Sequence, residues 1–105
     1  MKNLKPLALL MLFLIPFLYS CQEETDVVES GVYEGTIAEV EADKSEIYVE
    51  TAEGQLLELY FTDNTVLTRN GEEVAFDQLA EGGRVEVEVE KVGQRLDPIA
   101  VRILE

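Results

Sequence analysis

From Gly31 to Glu105 hydrophobic and polar residues alternate with a period of two, the pattern of half-buried strands. Val85, Val87 and Val89 alternate with Glu86, Glu88 and Glu90, which sends valines inward and carboxylates to water. Ile99, Val101 and Ile103 repeat this near the C-terminus with Arg102 outward, and Pro98 suits the first position of that strand, where a missing N–H matters least. Ile47 and Val49 alternate with Glu46, Tyr48 and Glu50, and Leu57, Leu59 and Phe61 with Leu56, Glu58 and Tyr60. A two-residue Glu53-Gly54 turn between these runs would set Val49 opposite Glu58 and split the apolar residues between faces. A three-residue Ala52-Glu53-Gly54 loop instead pairs Val49 with Leu57 and Ile47 with Leu59, so this loop is expected, with Gly54 left-handed.

In the first strand Tyr33, Gly35 and Ile37 share one phase and Val40 and Ala42 the other, which predicts a bulge or bend. Arg69-Asn70-Gly71-Glu72 predicts a type I′ hairpin between Thr65–Thr68 and Glu73–Phe76. Asp77 is placed to cap a single helical turn, Gln78 to Glu81, ended by Gly82-Gly83, with Leu79 and Phe76 filling the end of a barrel. Gln22 to Ser30 has no usable period and reads as an acidic tether.

The first twenty residues have a different layout. Lys2 and Lys5 precede an apolar run of 13 residues, Leu7 to Tyr19, then Ser20, which is how a secretory signal is built. A membrane-spanning helix needs about 20 apolar residues. Leu18-Tyr19-Ser20-Cys21 resembles the lipobox of bacterial lipoproteins, and the resemblance implies that Cys21 becomes an acylated N-terminus anchored in the membrane. Gln22-Glu23-Glu24 is similar to the acidic export tag of some Bacteroidota lipoproteins, which implies the outer membrane, at its periplasmic face or at the cell surface. The expected organisation is a signal peptide over 1–20, the lipidated Cys21 with an acidic tether over 21–30, and one domain over 31–105.

Composition narrows the function. The 105 residues contain 22 acidic and eight basic side chains, no His and one Cys, which removes His-based acid–base catalysis, zinc fingers and disulfide frameworks. Loss of Lys2 and Lys5 with the signal leaves six basic residues against 22 acidic ones, a formal charge of −16. A chain of that sign lacks the basic groove that nucleic acid needs, and no nucleic-acid partner is expected.

A long bent strand, a hairpin, a plug written Leu79-Ala80-Glu81-Gly82-Gly83-Arg84-Val85 (L-x-x-G-x-x-V) and a last hairpin, with Gly35-Thr36-Ile37 at the start, resemble secreted bacterial OB-like domains. The resemblance implies an all-β, five-stranded OB-like antiparallel barrel with an extra Asn-Gly hairpin and one short helical turn. Another small antiparallel barrel or a sandwich is the alternative.

OB barrels often bind ligands on the face of their second and third strands. In the register above that outer face carries Glu46, Tyr48 and Glu50 opposite Tyr60, Glu58 and Leu56. Two tyrosines beside three carboxylates can stack on a sugar ring or hold a basic partner; alternatively they are ordinary strand tyrosines, covered in part by the tether. Copper-handling OB relatives use His, Met and aromatic ligands, whereas His is absent here and Met1 and Met11 lie in the signal. Asp63-Asn64 and Glu72-Glu73 do not follow calcium-loop spacing. No metal, cofactor or catalytic activity is therefore expected, since a carboxylate pair for glycoside cleavage also needs a cleft. The sequence points to a lipid-anchored envelope module that contacts protein or glycan, with a purely structural envelope lipoprotein as the alternative.

Overall fold

The computed structural model describes residues 24–105, so the signal segment, the lipobox and Cys21 lie outside the described residues. Seven strands form one sheet: β1 (Gly31–Glu41), β2 (Glu46–Thr51), β3 (Leu56–Tyr60), β4 (Val66–Arg69), β5 (Glu72–Glu73), β6 (Arg84–Val92) and β7 (Arg95–Ile103), ordered β3-β2-β1-β6-β7-β4-β5. The sheet curls so that β3 lies against β7. Two expectations need correction. The strand count is seven, not five, and the sheet is mixed, because β4 runs parallel to β7 from Val66 opposite Ala100 to Arg69 opposite Ile103. The Asn-Gly hairpin is thus part of the sheet and not an appendage.

The β2–β3 hairpin has the expected register, with Val49 opposite Leu57, Ile47 opposite Leu59 and Gly54 at φ +87°. The phase change in β1 is a bulge at Ala38, between the Ile37–Val49 and Glu39–Tyr48 pairs. Ahead of the bulge β1 pairs with β6 as well, and Gly35 faces Val85 on one side and Thr51 on the other. A Cβ at Gly35 would overlap the Glu50 carbonyl oxygen and come within 2.8 Å of Val49 Cγ1, so only glycine lets the two strands approach this closely.

At the other end of the barrel, Gly82 N–H donates to the Ile37 carbonyl and Ile37 N–H to that of Gly83, both at 2.8 Å, which ties the start of β6 to the bend. The expected helical turn over Gln78 to Glu81 is instead a 3-10 turn at Phe76–Gln78 without a side-chain cap, and Asp77 lies inside it. Leu79 joins the core, and Phe76 stands edge-on to Phe61 with ring centroids 5.0 Å apart. A further 3-10 turn, Ala42–Lys44, takes exposed Ala42 out of β1 and ends at Ser45 with φ +53°.

The C-terminal strand departs most from its expected phase. It begins at Arg95, three residues ahead of Pro98, and a bulge lets Val89 oppose Pro98 and Glu88 oppose Ala100, leaving Ile99 without a partner in the ladder. Ile99 is 40% exposed. Leu96 and Pro98 fill the inward positions. From Val101 onward the expected phase returns, with Val101 and Ile103 buried and Arg102 outward, bonded to Glu86 at 3.0 Å and Glu88 at 3.3 Å. Those two bonds relieve part of the repulsion along the glutamate stripe of β6, although half-exposed pairs contribute only about 0–1 kcal/mol.

The core is built from Ile37, Ile47, Val49, Leu57, Leu59, Val85, Val87, Val89 and Val101, together with Val28, which is 7% exposed. Val28 belongs to the stretch expected as tether. Asp26 N–H donates to the Leu56 carbonyl at 2.7 Å, Leu56 N–H donates to Asp26 Oδ2 at 2.9 Å, and Lys91 N–H donates to Ser30 Oγ at 2.8 Å. From Asp26 onward the chain is therefore docked, on the β3 edge at Leu56 and on β6 at Lys91.

Candidate functional site on the outer face of β2 and β3

The β2–β3 register fixes which side chains share the outer face. Glu46 is opposite Tyr60, Tyr48 opposite Glu58, and Glu50 opposite Leu56. All six expected residues therefore lie on one face, and their exposure falls along β2 toward Glu46 but rises along β3 toward Tyr60. Glu50 is exposed, Leu56, Tyr48 and Glu58 are half-buried, Tyr60 is 44% exposed, and Glu46 is 1% exposed. Glu46 is covered even though Tyr60 opposite it is open to water. Period-two alternation could not reveal that burial, because alternation assigns a side of the sheet and not what lies over it.

Four of the six residues form a cluster. The Tyr60 hydroxyl donates to Glu58 Oε2 at 3.0 Å, and the Tyr48 hydroxyl reaches the same oxygen at 3.5 Å. Glu46 sits among them, yet neither of its carboxylate oxygens has a hydrogen-bond partner. Burying a charge without a donor is costly, so a carboxyl in this position holds its proton more firmly. Burial raises the Glu46 carboxyl above the usual glutamate range, and contact with the Glu58 carboxyl raises it further. Glu58 moves the other way, held below its ordinary value first by the neighbouring Glu46 carboxyl and then by Tyr60 and Tyr48. The two carboxyls thus differ, one keeping its proton more firmly and the other staying ionised. Lys44, on the 3-10 turn before β2, adds a smaller favourable charge for Glu58.

Both phenols remain neutral donors at physiological pH. The Tyr60 hydroxyl is pushed up to about 12, mainly by its bond to Glu58. The Tyr48 hydroxyl is raised chiefly by burial and then by Glu46. Neither titrates near neutrality.

Beside the cluster lies a shallow cavity of about 250 Å³, lined by Glu58 and Tyr60 together with Asp26, Val27, Arg95 and Leu96. Arg95 is held by Asp97 at 2.8 Å and contributes a positive wall. The sequence carries no signal for Asp26 or Arg95 here, since they arrive from the docked N-terminal stretch and the first position of β7. Their meeting with β3 follows from β3 lying against β7. A second cavity of about 400 Å³ runs past Phe61 and Phe76 toward Asp63 and Glu73.

No family model matches the chain, and no curated protein matches it. Two solved structures share its fold. One is a copper(II)-bound variant of CusF from Escherichia coli, 11% identical with a TM-score of 0.55, covering 80% of this chain and all of that one. The other is silver(I)-bound CusF, also 11% identical with a TM-score of 0.55, covering 73% of this chain and all of that one. At this identity the likeness speaks for the fold alone, and it supports a small OB-like β-barrel.

Proposed function

We propose that this protein is a lipid-anchored module of the bacterial cell envelope that contacts an envelope protein or glycan through the outer face of β2 and β3. One observation carries the reading: Tyr48 and Tyr60 stand beside Glu46 and Glu58 in one cluster, with one carboxylate held out of water and lacking a donor. Aromatic surface next to anionic charge suits a sugar ring or a basic side chain. In this reading the seven-stranded sheet, with the β4–β5 hairpin joined to β7 through β4, is an OB-like barrel. Cys21 provides the anchor in the outer membrane, and no catalytic step is proposed.

The metal ions in the neighbours' names do not transfer as ligands. A soft ion such as copper(I) or silver(I) wants thiolate, thioether or imidazole ligands, and this chain has no His, while its one Cys, Cys21, and its two Met, Met1 and Met11, all stand ahead of the described residues. A structural role without a ligand is the second reading. It is favoured by the fact that both phenol hydroxyls are already engaged with Glu58.

A thermal-shift series against peptidoglycan fragments, outer-membrane oligosaccharides and short lysine-rich peptides separates the two readings. A ligand that binds only the folded state raises the melting temperature by mass action. The module reading expects a rise with one ligand class that Tyr60→Ser abolishes; a flat response to every class leaves the structural role standing. Mass spectrometry of the membrane fraction should find a diacyl or triacyl group on Cys21, and an unmodified thiol there would remove the anchor from the proposal.

A further inference from the structure

We propose that the Glu46 end of the β2–β3 face is a weak calcium site, in which the Glu46 and Glu58 carboxylates hold one hard divalent cation. This goes beyond the partner-binding reading and stands whether or not that face meets a partner. An acidic pair alone would carry little weight, because solvated carboxylates are common on so acidic a chain. The deciding observation is Glu46, which is 1% exposed, points into the cluster and has no hydrogen-bond partner on either carboxylate oxygen. A buried carboxyl with no donor keeps its proton or coordinates a metal, and no N–H or ammonium group meets those oxygens.

The donor set decides the class of ion. Glu46, Glu58 and the hydroxyls of Tyr48 and Tyr60 offer oxygen only, which selects hard cations over copper, silver or zinc. Calcium accepts irregular shells of 6–8 oxygens and bidentate carboxylates, whereas magnesium demands a near-octahedral shell. Among the described residues no three acidic, His or Cys side chains gather into a metal cage. Two carboxylates therefore carry the site, and phenol oxygens and water complete the shell. Such a set belongs at the weak end of calcium binding, about 10⁻⁴–10⁻³ M, the range of extracellular modules. A partner's lysine or arginine fits less well, since Glu46 is closed to a bulky cation, while a small ion that sheds water can pass the half-exposed Tyr60.

The test uses the full-length protein in detergent, stripped with EDTA and titrated with calcium chloride to about 10 mM in 0.15 M sodium chloride at pH 7.5. The melting temperature should rise by roughly 5–10 °C. Terbium(III) excited through tyrosine should emit from the same site and be displaced by calcium. Glu46→Gln and Glu58→Gln should each abolish both signals, while Glu50→Gln and Glu90→Gln, which remove the same charge elsewhere, should keep them. Glu58→Gln and the terbium displacement in the unaltered protein read the site even if Glu46→Gln folds poorly. The proposal is overturned by a flat calcium titration with no terbium emission, by signals that survive both Glu46→Gln and Glu58→Gln, or by an equal rise with ethylammonium chloride.

Discussion

Glu46 is where local sequence logic and tertiary structure part. Its parity along β2 assigns it correctly to the face of Tyr48 and Glu50, and the register assigns it correctly to Tyr60. Nothing in the alternation says that this end of the face is covered. The consequence is a pH dependence whose sign follows from the pair. Glu46 binds its proton more tightly in the folded than in the unfolded chain, so the stability it confers is complete below the ordinary glutamate range and is lost as pH rises through its raised value. Glu58 does the reverse, conferring stability that is lost as pH falls through its lowered value. The pair therefore favours mildly acidic conditions, with Tyr48, Tyr60 and Lys44 as the other groups facing it. In EDTA-treated buffer, Glu46→Gln should flatten the decline in melting temperature between about pH 5 and pH 8 and leave the mutant the more stable at pH 8. An unchanged slope in denaturation curves across that range would show that Glu46 is not the group responsible.

Individual elements were legible wherever a local rule had one solution. The hairpins are the clearest instance: the three-residue loop with Gly54 at φ +87° is the only choice that keeps Val49, Leu57, Ile47 and Leu59 on one face, and Asn70-Gly71, at φ +55° and +84°, fits only a type I′ turn. The phase change in β1 was legible for the same reason. In β7 the same rule failed, because an unpaired residue in a bulge reverses the phase ahead of it; Ile99, the residue that best fitted the alternation, is the one expelled. Parallel pairing of β4 with β7 has no local signature at all, since the partner strand lies some thirty residues away. Gly35 yields the sharpest element-scale prediction. Gly35→Ala places a methyl against the Glu50 carbonyl oxygen and Val49 Cγ1 where backbone cannot give way, so it should cost about 3 kcal/mol or more, above ordinary overpacking. Chemical denaturation of Gly35→Ala measures this directly. A loss below about 1 kcal/mol would mean that β1 and β2 can separate at their crossing without penalty.

For the molecule as a whole, charge and chain docking act together. The expected tether shortens to the few residues ahead of Asp26, because Asp26 is bonded to Leu56 and Val28 is buried in the core. In the proposed acylated form the five steps from Cys21 to Asp26 would span at most about 18 Å and would hold the β3 edge close to the bilayer. In that proposed form a chain of formal charge −16 without its signal would be held near anionic headgroups by its lipid and repelled by its charge. Within the domain, Arg84 pairs with Glu34 and Glu105, Lys91 with Glu29, Arg95 with Asp97 and Arg102 with Glu86 and Glu88. These pairs are solvent-exposed and weak, and among the described residues acidic side chains far outnumber basic ones, so self-repulsion should dominate the response to salt. The screening length falls from about 30 Å at 0.01 M to about 8 Å at 0.15 M, comparable with spacings between side chains on neighbouring strands. Raising sodium chloride over that interval, in EDTA and at pH 7.5, should therefore raise the melting temperature by several degrees. A fall on adding salt would instead mean that the arginine pairs of β6 and β7 outweigh the repulsion among the remaining carboxylates.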